Sequence, residues 1–189
     1  MDKPPRMKFL EVDQVQRILE QPSHKSATGL RNRCIMGLMY ESGLRISEVL
    51  SLKPRDVVLE EKRVEVLRGK GAKPRTVYFR SNDLASLIEK WKRERPQGEY
   101  LFCTVKGKNK GGALSPWAFR NTFRTYVKKA GMDPLAVTPH VLRHTYATEK
   151  SRRGDPIRSI QKSLGHAWVS TTQLYTHVPD EDVRNIMTS

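Results

Sequence analysis

Between residues 57 and 79 the apolar residues stop recurring every three or four positions and begin to alternate. Helical spacing returns at residue 82. The two periods put side chains on different sets of faces, so this chain is a mainly helical α+β protein with one small sheet inserted. Residues 57–59, 63–67 and 75–79 read as three short strands. The turn between the last two, Arg68-Gly69-Lys70-Gly71-Ala72-Lys73, is glycine-rich and cationic.

Helices are expected on both sides. Asp13 is placed to cap a helix through residue 20, with Val12, Val15, Ile18 and Leu19 on one side. A second covers 30–41 with Leu30, Cys34, Ile35, Leu38 and Met39 apolar, and Gly43 suits its left-handed C-terminal cap. A short helix at 47–52 follows, then one at 82–91. Ser115 and Pro116 form an N-cap and first-turn pair for a helix reaching residue 130. Thr138-Pro139 opens another, to 152, and Asp155-Pro156 a third, with Ile157, Ile160 and Leu164 inward and Gly165 at its end. Ser170 can cap a helix carrying Tyr175. Beyond Asp180 lies a short amphipathic tail with Val183, Ile186 and Met187 apolar.

Charge narrows the partner. Lys and Arg total 35 against 20 Asp and Glu, a net charge of +15. A folded chain this basic points to a polyanion, first of all nucleic acid, where each neutralised phosphate releases counterions. Residues 100–132 hold no acid and seven Lys or Arg. Three are Lys106, Lys108 and Lys110 in a Lys/Gly loop. Arg120, Arg124 and Lys128 recur every fourth residue on a helix whose other face carries Phe119, Phe123, Tyr126 and Ala130. One face suits a core and the other phosphates; a merely solvated basic face is the alternative. An anionic membrane fits less well, because no apolar stretch is long enough to span a bilayer. Cys34 and Cys103 make neither a disulfide framework nor a zinc site, and residues 1–10 lack a signal-peptide apolar region. The expected location is the cytoplasm.

His140, Arg143 and His144 stand at i, i+3 and i+4 and can share a helix face. Two imidazoles and a guanidinium near a helix N-terminus suit an anion. The spacing of His140 and His144 would also allow a metal, but no Glu follows His140 in zincin fashion, and none is expected. Taken singly, each of these residues has an ordinary structural reading: a histidine in a core, an arginine on a carboxylate, a lysine in a turn.

Five segments, in order, change that balance. Ser42-Gly-Leu-Arg45-Ile-Ser-Glu48, Arg68-Gly-Lys70-Gly71, Thr138-Pro-His140-Val-Leu-Arg143-His144, Leu164-Gly-His166 and Tyr175 resemble the signature of the tyrosine recombinase or phage integrase family, of the Xer-like kind. Arg143 lies 23 residues before His166, and His166 nine before Tyr175, as in that family's pattern. The resemblance covers roughly residues 9–187. It implies the family's catalytic-domain fold with a small three-stranded antiparallel sheet. It also implies a site-specific recombinase that cuts and rejoins DNA through a 3′-phosphotyrosyl bond, in integration, excision or resolution. Its catalytic set here is Arg45, Lys70, His140, Arg143, His166 and the nucleophile Tyr175.

The chemistry of these residues agrees. Phosphodiester cleavage passes through a phosphorane with extra negative charge, and Arg45 and Arg143 each offer a permanently charged fork of donors. A phenol with a reference pKa of about 10 needs neighbouring cations or a histidine to become a nucleophile. The resemblance makes Lys70 the acid for the 5′-oxygen leaving group. Glu48, one turn from Arg45, is expected to orient that guanidinium, and His144 to support the site or its core. The phosphotyrosine conserves the bond energy, so no cofactor is expected.

By the same resemblance the partner is double-stranded DNA, bound by a homo-oligomer that forms a tetrameric synapse. The tail after Tyr175 docks on a neighbouring protomer or on its own core. Residues 1–8 read as a linker and 9–189 as the catalytic domain, without the family's N-terminal core-binding domain. Two other readings share these features: a type IB topoisomerase, and a DNA-binding module that keeps the fold without the chemistry.

Overall fold

The structure, a computed structural model, describes residues 9–67 and 74–165. Among these residues there are seven α-helices and one antiparallel sheet, the mainly helical α+β fold that the change of period predicts. The helices are α1 (Val12–Glu20), α2 (Ala27–Ser42), α3 (Ile46–Ser51), α4 (Asn82–Glu94), α5 (Pro116–Lys129), α6 (His140–Arg152) and α7 (Ile157–Leu164). The strands β1 (Val57–Val58), β2 (Arg63–Val66) and β3 (Arg75–Tyr78) pair in that order. Val57 faces Val64, and Val64 faces Val77, so the alternating valines form the buried side of the sheet.

The central element is α2. Leu30, Cys34, Ile35, Met36, Leu38 and Met39 are all fully buried. A helix buried on most of its sides must be enclosed, and here α1, α3, α4, α6 and β3 pack against it. Ser26 caps it, accepting the Gly29 amide at 3.1 Å, so it starts three residues before the position that apolar periodicity suggests. It stops at Gly43, where φ is 68°. That position needs glycine twice over. The backbone is left-handed, and a Cβ would lie 2.6 Å from Tyr146 Cδ1 and 2.9 Å from Leu164 Cδ2. Tyr146 and Leu164 belong to a small second core, with Ala147 and Ile160, between α6 and α7.

Three expectations need correction. The cap of α1 is Glu11 rather than Asp13: the Glu11 amide donates to Gln14 Oε1 at 2.9 Å, leaving Asp13 inside the first turn. Val12 is 53% exposed, because a helix starting there turns it away from the face that buries Val15 and Ile18. Ile157, at the first position of α7, is 41% exposed, whereas Ile160 and Leu164 are buried as expected. The remaining helix and strand boundaries fall within a few residues of the sequence reading. The proposed helix around Tyr175 and the tail with Val183, Ile186 and Met187 lie outside the described residues.

Candidate functional site

The end of α2, the start of α3, the start of β3, the first turn of α6 and the end of α7 meet around one carboxylate. Glu48 occupies the third position of α3 and reaches back to its cap: Oε2 accepts the Arg45 amide at 2.8 Å. Helix capping thereby fixes where this acid sits. The same carboxylate receives three guanidinium groups. Arg45 Nη1 donates to Oε1 at 3.0 Å. Arg75 donates from Nη1 to Oε1 at 3.0 Å and from Nη2 to Oε2 at 2.9 Å, a bidentate pair. Arg143 Nη1 stands 3.8 Å from Oε2.

Arg143 also donates to two peptide oxygens. Nη1 donates to the Gly43 carbonyl at 2.6 Å and Nη2 to the Leu164 carbonyl at 2.7 Å. These carbonyls close the ends of α2 and α7, where helix dipoles favour a cation. Arg143 is 1% exposed, so its charge sits in a medium that screens it far less than water does. Arg45, at 25% exposure, is the accessible member of the pair. Among the described contacts, three guanidinium charges meet one carboxylate, a positive surplus. Burial acts to raise the Glu48 pKa. The hydrogen bonds from Arg75 and the Arg45 amide, with the fields of Arg75 and Arg143, outweigh it and hold the pKa below the ordinary carboxylate value. Glu48 therefore stays ionised at neutral pH. A group of fixed cations in surplus is chemically an anion site.

His140, Arg143 and His144, spaced to share one helix face, differ in burial. Arg143 is buried, His140 is exposed and His144 is half-buried. Burial, and then the His140 and Arg143 charges, push the His144 pKa below the usual histidine value. Lys70, His166 and Tyr175 lie outside the described residues, so the geometry joins Arg45, Glu48 and Arg143 from the expected set. Among the described residues no group of three or more His, Cys, Asp or Glu is placed to hold a metal.

Arg75 is the member that sequence reasoning missed. A signal was available. Strand alternation places it on the inward side with Val77 and Phe79, both buried, and an inward arginine needs oxygen acceptors inside the protein.

The basic stripe occupies another face. Arg120, Arg124 and Lys128 on α5 are exposed, while Phe119, Phe123 and Val127 are buried against the core. Tyr126 is half-buried, and its hydroxyl accepts Asn32 Nδ2 at 3.0 Å. Lys106, Lys108 and Lys110 are exposed on a loop closed at its base by the pairing of Cys103 with Ala113. That base is tied to α2 by Arg31, whose Nη1 donates to the Cys103 carbonyl at 2.9 Å.

Comparison with known proteins gives a consistent result. Residues 8–182 match the model of the phage integrase family. The chain is 40% identical over 172 residues to tyrosine recombinase XerA of Pyrococcus furiosus, covering 90% of this chain and 57% of that protein. It is 35% identical over 192 residues to tyrosine recombinase XerD of Ralstonia nicotianae, covering 97% of this chain and 60% of that one. It thus spans about three-fifths of the length of these curated relatives. Among solved structures, the crystal structure of XerA recombinase superposes with a TM-score of 0.77 at 34% identity, covering 98% of this chain and 65% of that chain. XerH site-specific recombinase bound to difH substrate, in a pre-cleavage complex, gives 0.74 at 27% identity, covering 97% and 54%.

Proposed function

The chain belongs to the phage integrase family, and from that premise we propose that it is the catalytic unit of a tyrosine-type site-specific recombinase acting on double-stranded DNA. The observation that carries this reading is the gathering of Arg45 and Arg143, distant in sequence, on Glu48 in a site with surplus positive charge.

In the proposed reaction Arg45 and Arg143 hold non-bridging oxygens of the scissile phosphate and stabilise the charge that develops on the phosphorane. Glu48 orients Arg45. Because Arg143 is 1% exposed, a phosphate that meets Arg45 first reaches Arg143 only by displacing what lies over it. The Tyr175 phenolate attacks phosphorus and forms the 3′-phosphotyrosyl bond. The 5′-oxygen leaves with a proton from Lys70. His140 and His166 donate to phosphate oxygens or relay protons, and the half-buried His144 supports the pocket wall. The 5′-hydroxyl of a second strand then reverses the step and rejoins DNA, so the exchange serves integration, excision or resolution without a cofactor.

Arg120, Arg124 and Lys128, with Lys106, Lys108 and Lys110, supply the phosphate contacts that set affinity. The working assembly is a homo-oligomer on DNA, tetrameric at synapsis, with the tail after Tyr175 docking on a neighbouring protomer or its own core. Among the described residues no helix is long and apolar enough to cross a membrane; a cytoplasmic location suits a DNA substrate.

The test is covalent trapping. The protein is first used to select its preferred duplex from a random-sequence pool, and that duplex is then nicked so that cleavage releases a short fragment and cannot reverse. The intact chain should give a denaturant-resistant adduct, and Tyr175→Phe none. Binding without any adduct would favour a silent DNA-binding module. Relaxation of supercoils without strand exchange would favour a topoisomerase.

A further inference from the structure

From β3, Arg75 contacts two segments that the proposed chemistry needs held together, the start of α3 and the end of α7, so the role inferred for it rests on that reading. Two of its nitrogens take both oxygens of Glu48, at 3.0 and 2.9 Å. Its Nε donates to the Ser163 carbonyl at 2.8 Å, in the last turn of α7. The guanidinium also lies against Gly165, where φ is 74° and a Cβ would sit 3.3 Å from Nη1 and 3.4 Å from Cζ. The side chain is 8% exposed. All three of its nitrogens are thus engaged within the protein, beneath the anion site rather than in it.

The residue is also close in sequence to two members of the catalytic set. Arg75 follows Lys70 by five residues, and Ser163 precedes His166 by three. Removing its charge would leave Glu48 facing Arg45 and Arg143, and Arg143 Nη1, now 3.8 Å away, would have reason to close on it. The site's surplus positive charge would then be drawn onto the carboxylate instead of the phosphate. We infer that Arg75 is a positioning residue for strand cleavage: it saturates and orients Glu48 so that Arg45 and Arg143 keep their charge for DNA, and it fastens the start of β3 to the end of α7. Lysine keeps the charge but lacks the planar fork, and glutamine keeps neither.

The experiment uses the full chain with Arg75→Gln and Arg75→Lys on the selected nicked duplex, measuring single-turnover adduct formation and, separately, duplex affinity. Arg75→Gln should slow cleavage by about 10- to 100-fold while affinity stays within roughly threefold, because the loss falls on the reacting state. Arg75→Lys should recover thermal stability more fully than rate. Glu48→Gln/Arg75→Gln should be no slower than Glu48→Gln alone, which a purely structural role would not produce. The 15N resonance of the Arg45 Nε–H should shift in Arg75→Gln, a readout independent of catalysis. Cleavage by Arg75→Gln near the wild-type rate, or multiplicative losses in the double variant, would overturn the inference. If Arg75→Gln does not fold, Arg75→Lys decides: a wild-type rate overturns the idea. If the intact chain forms no adduct, the proposed function fails separately, and an unmoved Arg45 resonance would then sink the positioning role too.

Discussion

The two cationic regions of this molecule are built from the same residue types under opposite rules. Around Glu48, three arginines are held by carboxylate and carbonyl oxygens, two of them almost wholly buried. Along α5 and the 106–112 loop, arginines and lysines stand in water. Buried, oriented donors act at full strength on one atom, whereas exposed charges act through a field that salt screens within about 10 Å at 0.1 M. The first arrangement suits a transition state and the second suits a surface of repeating phosphates.

The sharpest way to break this contrast is Arg143→Ala. Cleavage should fall by about 100- to 1000-fold or more, while duplex affinity weakens only a few-fold, as read by covalent trapping beside equilibrium binding. Equal losses in both would place Arg143 in the same class as the exposed stripe. Next comes Glu48→Gln, which leaves three guanidiniums without their counter-charge. Removing one partner of a buried pair of this kind costs about 3 kcal/mol or more of stability, and cleavage should slow about 10- to 100-fold. Denaturant melts and trapping check the two effects, and an unchanged melt would mean that the carboxylate is dispensable to the fold.

Arg124→Ala sharpens the comparison from the other side. Stability should change by no more than about 0.5 kcal/mol, and the slope of log affinity against log salt should fall by about one. A slope identical to wild type would return α5 to a solvated face. The smallest effect concerns pH. The folded pKa of His144 lies below its unfolded value, so between the two the unfolded chain binds more protons. Stability therefore declines as pH falls through the ordinary histidine value, and the loss is complete below the folded pKa. His144→Gln should flatten that part of the profile when melts at about pH 8 and about pH 5 are compared; an unaltered profile would assign the acid sensitivity elsewhere. Glu48 has the same sign in a more acidic range: its stabilisation is present above the unfolded carboxylate pKa and disappears as pH falls through the lower folded one.

Much of the fold was legible because local rules and tertiary packing agree. Gly43 and Gly165 mark helix ends, and both take positive φ. Ser115 and Pro116 start α5 at the expected residue. Val12 and Ile157 misled because each stands at the first position of its helix, where one turn of periodicity cannot distinguish the buried side from the exposed one. Arg45, Glu48 and Arg143 stood out through their motifs, although the geometry gives Glu48 a wider duty than orienting one neighbour. Arg75 and Arg31 were not singled out: strand alternation marks Arg75 as inward, but the partners of both lie 27 and 72 residues away, which no local pattern encodes. The buried Arg31 is satisfied by the neutral oxygens of Asn32 and the Cys103 carbonyl, and burial lowers its pKa.

The Gly43 and Leu164 carbonyls that grip Arg143 belong to the peptide chain, so no side-chain replacement can delete them and no proton can titrate them. Divergence among related chains can therefore repaint the surface around this arginine freely without loosening its seat. The weak point moves from chemistry to chain path: a one-residue insertion or deletion beside position 43 or 164 would swing an oxygen away and disarm the site while every motif residue remained in place.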